Sequence, residues 1–326
     1  MNKRELGQTG ISSTCMGLGL AALGRPGYIN LGHGEDIPDD YQPKLMEKHC
    51  HQVLDFAWSK GIRYFDAARS YGRAEEFLAS WLHSRQIKAS DVTVGSKWGY
   101  TYTADWSVDA SVHEVKEHSV EVLKRQWQES RRLLSGWLKL YQIHSATMDS
   151  GVLQNNKLLQ ILAQMKSEQI AIGLSLSGVN QAATLERAMA IEIDGRRLFD
   201  VVQATWNVLE ISAGKMLGQA HQQGMGVIIK EGVANGRLTG RNDEKDFKEK
   251  KIKLVEIAEE NHCTIDAVVL AYILKQPWVD IVLSGAATRE HLEANLAASG
   301  IKSLPEINIA EEPQTYWSKR SALSWN

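Results

Sequence analysis

Cysteine is scarce in this chain, surplus charge is absent, and no apolar run is long. The three cysteines among 326 residues, Cys15, Cys50 and Cys263, are scattered, odd in number and form no C-x-x-C pair. That spacing excludes a disulfide framework and points to a reducing cytoplasm. A net charge of -2 gives no electrostatic reason for nucleic acid or an anionic membrane as partner. Apolar stretches such as 267–274 are too short to span a bilayer. Residues 1–7, Met-Asn-Lys-Arg-Glu-Leu-Gly, lack the apolar core of a signal peptide. No linker, repeat or low-complexity tract divides 1–326, so the chain reads as one domain with a sizeable core. The partner to expect is a small molecule; the oligomeric state leaves no mark in the sequence.

What the chain does have is alternation. Short, almost continuously apolar segments at 16–20, 62–65, 92–94, 138–143, 170–174, 199–202, 227–229 and 279–283 read as strands covered on both faces. Between them the period becomes helical. Met46, Cys50, Val53 and Ala57 share one face, as do Val120, Leu123, Trp127 and Leu134, and then Ala182, Leu185 and Met189. Leu254, Ile257 and Ala258 repeat the pattern before Thr264, which is placed to cap a helix running to Leu274. Eight strands alternating with helices predict an α/β fold, a single (β/α)8 TIM barrel, with an open doubly wound sheet as runner-up. Residues 3–13 carry a Thr9-Gly10 turn and predict a hairpin that closes the barrel floor. The long βα segments 24–42 and 99–111 are candidate substrate loops.

In such a barrel, chemistry belongs at the C-terminal ends of the strands. Asp66 closes the second strand and Tyr71 follows five residues later; Lys97 closes the third strand and His144 the fourth. Reducing a carbonyl builds negative charge on oxygen, so a proton must arrive as that charge develops. A free tyrosine titrates near pH ~10 and is too weak an acid alone. A neighbouring lysine ammonium is expected to lower that pKa, an aspartate keeps the lysine charged and oriented, and a histidine donates to the substrate oxygen. Taken singly, each residue also has a structural reading: a cap, a solvated strand end, a core histidine, ordinary packing.

The order and context of the four resemble the aldo-keto reductase superfamily, whose tetrad of Asp, Tyr, Lys and His matches Asp66, Tyr71, Lys97 and His144. Residues 4–10, Arg-Glu-Leu-Gly-Gln-Thr-Gly, resemble its opening motif, and residues 61–68, Gly-Ile-Arg-Tyr-Phe-Asp-Ala-Ala, its second-strand motif. Residues 128–134 and 141–144 resemble its third helix and fourth strand, so the likeness extends over most of the chain. The resemblance implies NADP(H), more than NAD(H), bound in extended form, and no metal. It makes Tyr71 the general acid, with Asp66 and Lys97 tuning it and His144 orienting the carbonyl. It puts Ser175 and Gln203 at the nicotinamide carboxamide, Lys230, Gly232 and Val233 beside the nicotinamide, and Gly285, Thr288, His291 and Asn295 at the adenosine phosphate. Leu176 stands where the family has asparagine. Residues 230–233, Lys-Glu-Gly-Val, replace a stacking aromatic followed by Ser-Pro-Leu, which leaves Trp206 or Trp98 to supply an aromatic wall against the substrate. Ala286 and Ala287 replace polar or basic residues near the 2′-phosphate, leaving Arg237, Arg289 and His291 to supply charge.

Other signals fall short. Gly17-Leu-Gly19 lacks the third glycine of a Rossmann fingerprint, and the run 173–177 is one glycine short of a nucleophile elbow. Two alternatives stand beside the reductase. One is a Schiff-base lyase of the aldolase kind using Lys97 or Lys230. The other is a cofactor-sensing regulatory subunit with little turnover.

Overall fold

Short apolar strands bury both faces only if they close on one another or are covered by helices, and here both happen. The computed structural model describes residues 2–37 and 41–326. Its strands β1 (Met16–Gly19), β2 (Tyr64–Asp66), β3 (Thr93–Trp98), β4 (Leu138–Ala146), β5 (Ala171–Leu176), β6 (Val201–Thr205), β7 (Gly226–Lys230) and β8 (Ile281–Ser284) pair in parallel in chain order. β8 returns to β1, with Val282 opposite Met16 and Ser284 opposite Leu18. The sheet is a closed eight-stranded barrel, which removes the doubly wound alternative.

Helices cover it outside, and local chemistry starts several of them. The helix Pro43–Ser59 has proline in its first turn, where the missing N–H costs nothing. In Val120–Leu134, Ser119 Oγ accepts from the Val122 N–H, and in Ile265–Leu274 Thr264 accepts from the Ala267 N–H. The hairpin pairs Lys3–Glu5 with Ser12–Thr14. It carries Leu6 into the barrel floor, buried with Tyr64, Leu140, Val201 and Ile228. Among the described residues, no helix is long and apolar enough to cross a membrane.

Both long βα segments gain structure. Segment 24–42 carries the short helix His33–Asp36, and its residues 38–40 lie outside the described residues. Segment 99–111 opens with a strand, Tyr100–Tyr102, paired to Glu114–Lys116.

Candidate active site

The site begins with the ends of β2, β3 and β4. Asp66 closes β2 opposite Gly95 of β3. A Cβ on Gly95 would stand 2.5 Å from the Tyr64 hydroxyl and 3.3 Å from Asp66 Oδ1, so glycine leaves the carboxylate its room. Lys97 Nζ donates to Asp66 Oδ2 and, at 2.9 Å, to the Ala67 carbonyl. Asp66 Oδ1 accepts from Gln203 Nε2 at 3.1 Å and from the Tyr64 hydroxyl at 3.3 Å. Lys97 and Asp66 are almost wholly enclosed, at 0% and 2% exposure, so this is a desolvated, fully partnered pair.

Tyr71 sits in the turn after β2, pressed there by a close backbone approach. Gly72 has φ +56°, and a Cβ on Gly24 would lie 2.3 Å from the Tyr71 carbonyl. Only glycine serves at either position. Lys97 Nζ lies 4.8 Å from the Tyr71 ring centre. The Tyr71 and His144 rings meet edge to face, 5.5 Å between centres. The backbone after His144 is strained, with Ser145 at φ +51°. It is held by the Ser145 N–H donating to Ser175 Oγ at 2.8 Å, while His118 Nε2 donates to the His144 carbonyl at 2.9 Å.

Burial, with the Asp66 charge added, pushes the Tyr71 phenol well above its ordinary range. This corrects the expectation of a lowered pKa: the Lys97 ammonium is committed to Asp66, and desolvation dominates. Burial, then Lys97, Lys230 and Arg25, drive His144 well below its usual value, so the imidazole is neutral at pH 7. Ser70 Oγ lies 3.4 Å from His144 Nδ1; a hydroxyl donating there leaves the proton on Nε2.

A cleft of about 510 Å³ opens above these groups. Asp66, Tyr71, His144, Gln203 and Lys230 line one part of it. Gly232 and Val233 line its side, and Gly285, His291 and Asn295 its far rim. Ser175, Thr288 and Arg237 are not among the residues lining this cleft. Ser175 is fully buried, its hydroxyl occupied by the Ser145 backbone. Thr288 caps the helix Arg289–Leu296 by accepting from the His291 N–H. Arg237 is enclosed, ion-paired to Glu311 at 2.7 Å and lying over the Tyr316 ring.

Neither tryptophan forms a substrate wall. Trp98 is 0% exposed, edge-on to His118. It follows Lys97 on β3, and successive strand residues point to opposite faces. Trp206 is sealed between Tyr272 and Trp278. Besides Tyr71 and His144, the aromatic residues lining the cleft are Tyr28, Tyr100 and Trp325. Trp98→Phe is therefore expected to shift KM for any turned-over carbonyl by less than about twofold, since Trp98 Nε1 has no hydrogen-bond partner to lose; a steady-state comparison checks this.

An ionic group also lines the cleft, its partners far apart in sequence. Arg25 donates to Glu114 and to the Ser70 carbonyl, both at 2.9 Å. Glu231, at φ +54° just past β7, is held by Arg320 at 2.8 Å, by the Thr205 hydroxyl at 3.0 Å and by Lys230 at 3.6 Å. Arg241 grips Asp36 with both terminal nitrogens.

A sequence model of the Aldo/keto reductase family matches residues 16–311. The chain belongs to the aldo/keto reductase family. Among its relatives, an aldo-keto reductase of Strobilurus tenacellus is 24% identical over 94% of this chain and 89% of its own. The NADH-specific methylglyoxal reductase of Escherichia coli (strain K12) is 25% identical, over 92% and 94%. The holo form of an aldo-keto reductase from Bacillus halodurans superposes with a TM-score of 0.70 at 20% identity, covering 98% of this chain and 96% of that one. That structure supports the fold, the (β/α)8 barrel described above.

Proposed function

We propose that this chain is an NAD(P)(H)-dependent oxidoreductase, exchanging a hydride with the carbonyl or alcohol of a small molecule, with Tyr71 as general acid and base. The observation that carries this reading is the Tyr71–His144 pair facing one cleft, with the sealed Lys97–Asp66 ion pair behind it.

The cleft suits a dinucleotide. Gly240 and Gly285 offer bare backbone to it, since a Cβ built on either meets no atom within 4 Å. Buried polar atoms on its wall, Arg25 Nε and Asn235 Oδ1, have no hydrogen-bond partner among the described residues. Gln203 and Lys230 would hold the nicotinamide end, with Ser177 in the role read for Ser175; Gly285, His291 and Asn295 would hold the adenosine end. When bound, the dinucleotide supplies or takes up the hydride.

In the reducing direction Tyr71 passes its proton to the carbonyl oxygen, and neutral His144 donates a hydrogen bond to the same oxygen. The raised pKa of the phenol keeps that proton in place until the oxygen becomes basic. Lys97, fixed by Asp66, then faces the phenolate left behind. In the oxidising direction the phenolate takes the alcohol proton back. A methylglyoxal reductase and a pyridoxal 4-dehydrogenase among the relatives favour a small carbonyl substrate. The test is a panel of aldehydes, ketones, alcohols and aldoses followed by NAD(P)H absorbance; no turnover anywhere, with a dinucleotide bound, would leave the regulatory-subunit reading instead.

Lys230 gives the lyase alternative its one foothold, because it lines the cleft and burial lowers its pKa. Borohydride with a turned-over carbonyl is expected to trap no adduct on Lys230 or Lys97. Lys97→Met is expected to lower turnover at least ~10²-fold, as loss of the charge facing the phenolate requires. A trapped lysine adduct in the wild type would replace hydride transfer with imine chemistry.

A further inference from the structure

β8 lies four strands from β4 in either direction around the barrel. The cleft therefore runs from His144 to a rim on the opposite side, at Gly285 and His291, with Tyr71, after β2, between them. On the reading proposed above, the nicotinamide must sit beside Tyr71, and an extended dinucleotide brings its adenosine ribose to that opposite rim. There the two cofactors differ: NAD(H) has a free 2′-hydroxyl, and NADP(H) a 2′-phosphate carrying close to two negative charges.

The charges at this rim are the wrong ones for a phosphate. Asp36 and Asp266 both line it, and so does Arg241, beside Asp36. Arg241 is neutralised by Asp36, with NH1 2.9 Å from Oδ2, and His291 Nδ1 lies 3.6 Å from the same oxygen. Asp266 is tied to Asn295, whose amide, in the orientation that satisfies both its ends, donates to Asp266 Oδ2 at 2.6 Å. Arg237 is spent on Glu311, and Arg289 lies over the Phe56 ring. Among the described residues, Asp36 and Asp266 set two carboxylates there against the one guanidinium of Arg241.

We infer that Asp36 selects NAD(H) against NADP(H), its carboxylate accepting a hydrogen bond from the adenosine ribose hydroxyls and repelling a 2′-phosphate. A carboxylate is the acceptor such a diol calls for, as at the ribose of other dinucleotide sites. The preference is the reverse of the NADP(H) preference that the family resemblance implied. Its origin is Asp36, on a loop far from the adenosine segment in sequence.

The inference rests on dinucleotide binding in this cleft, and the experiment separates the two. The intact protein and its Asp36→Asn, Asp36→Ala and Asp36→Glu variants are titrated with NADH and with NADPH, without substrate, by quenching of tryptophan fluorescence. Wild type is expected to bind NADH at least ~10-fold more tightly than NADPH, and Asp36→Asn and Asp36→Ala to shrink that ratio at least ~5-fold, the scale of a charge-assisted contact. Asp36→Glu, which keeps the charge, should retain most of it. NADPH bound as tightly as NADH by wild type, or a ratio unmoved in both neutral variants, overturns the role of Asp36 and leaves the oxidoreductase reading standing. Binding of neither dinucleotide overturns both.

Discussion

Tyr71→Phe is expected to bind dinucleotide as wild type does and to turn over at least ~10²-fold more slowly, the low end of what a positioned acid contributes. The substitution removes one oxygen. The ring keeps its edge-to-face contact with His144 and its place over Lys97 Nζ, so the cleft keeps its shape. The lost group is the proton donor. Neutral His144 still donates a hydrogen bond to the carbonyl oxygen but cannot release its one ring proton without becoming an anion. Single-turnover rates on dinucleotide-loaded protein separate this from slower product release. Near-normal turnover would move the proton donor to another group.

Much of this site could be read before any fold was known. Asp66, Lys97 and His144 stand at strand ends because a closed parallel barrel puts strand C-termini on one face, and strand positions follow from local apolar runs. One misplaced strand start has a local cause. β2 begins at Tyr64 and not at Ile62 because the Ile62 N–H donates to the Ala57 carbonyl, closing the preceding helix. Trp98 was a legible error: alternation along β3 puts it on the face away from the Lys97 ammonium.

The rim was not legible, for a different reason. Arg25, Asp36, Arg241, Arg320 and Trp325 carry no periodicity and no motif, and each acts through a partner far away in sequence. Arg241 meets Asp36 across 205 positions, and Arg320 meets Glu231 across 89. Trp325 lies over Arg25, which lies in turn over Tyr71. Such pairs exist only once the barrel has brought its loops to one mouth. Charge at 230–231 was visible as a departure from the family's aromatic, but its partner was not.

That partner sets the second large effect, expected in stability. Burial alone would push the Glu231 carboxyl up, but Arg320 and Lys230 outweigh it and hold it at about 2 against an ordinary 4.5. The side chain is 7% exposed, and its backbone sits in the left-handed region. Arg320→Met leaves that carboxylate buried with Lys230 and Thr205 alone. Breaking a buried pair from one side costs about 3–5 kcal/mol; with Arg320 a quarter exposed and Lys230 remaining, about 3 kcal/mol is expected, roughly 4 °C in Tm for a chain of this length. The pH dependence identifies the cause. A carboxyl depressed by folding stabilises fully above its unfolded pKa, near 4.5, and that contribution is lost as pH falls toward about 2. Arg320→Met gives up much of it already, so wild type and variant should converge in urea midpoint between pH 4.5 and pH 3 while staying apart at pH 7. A gap that stays constant across that range would assign Arg320 to packing and not to the Glu231 charge. Reversing the design tests the same point: Glu231→Gln with Arg320→Met should recover part of the loss, because the carboxylate is then no longer buried without its guanidinium, and Lys230 keeps the Thr205 hydroxyl as a partner.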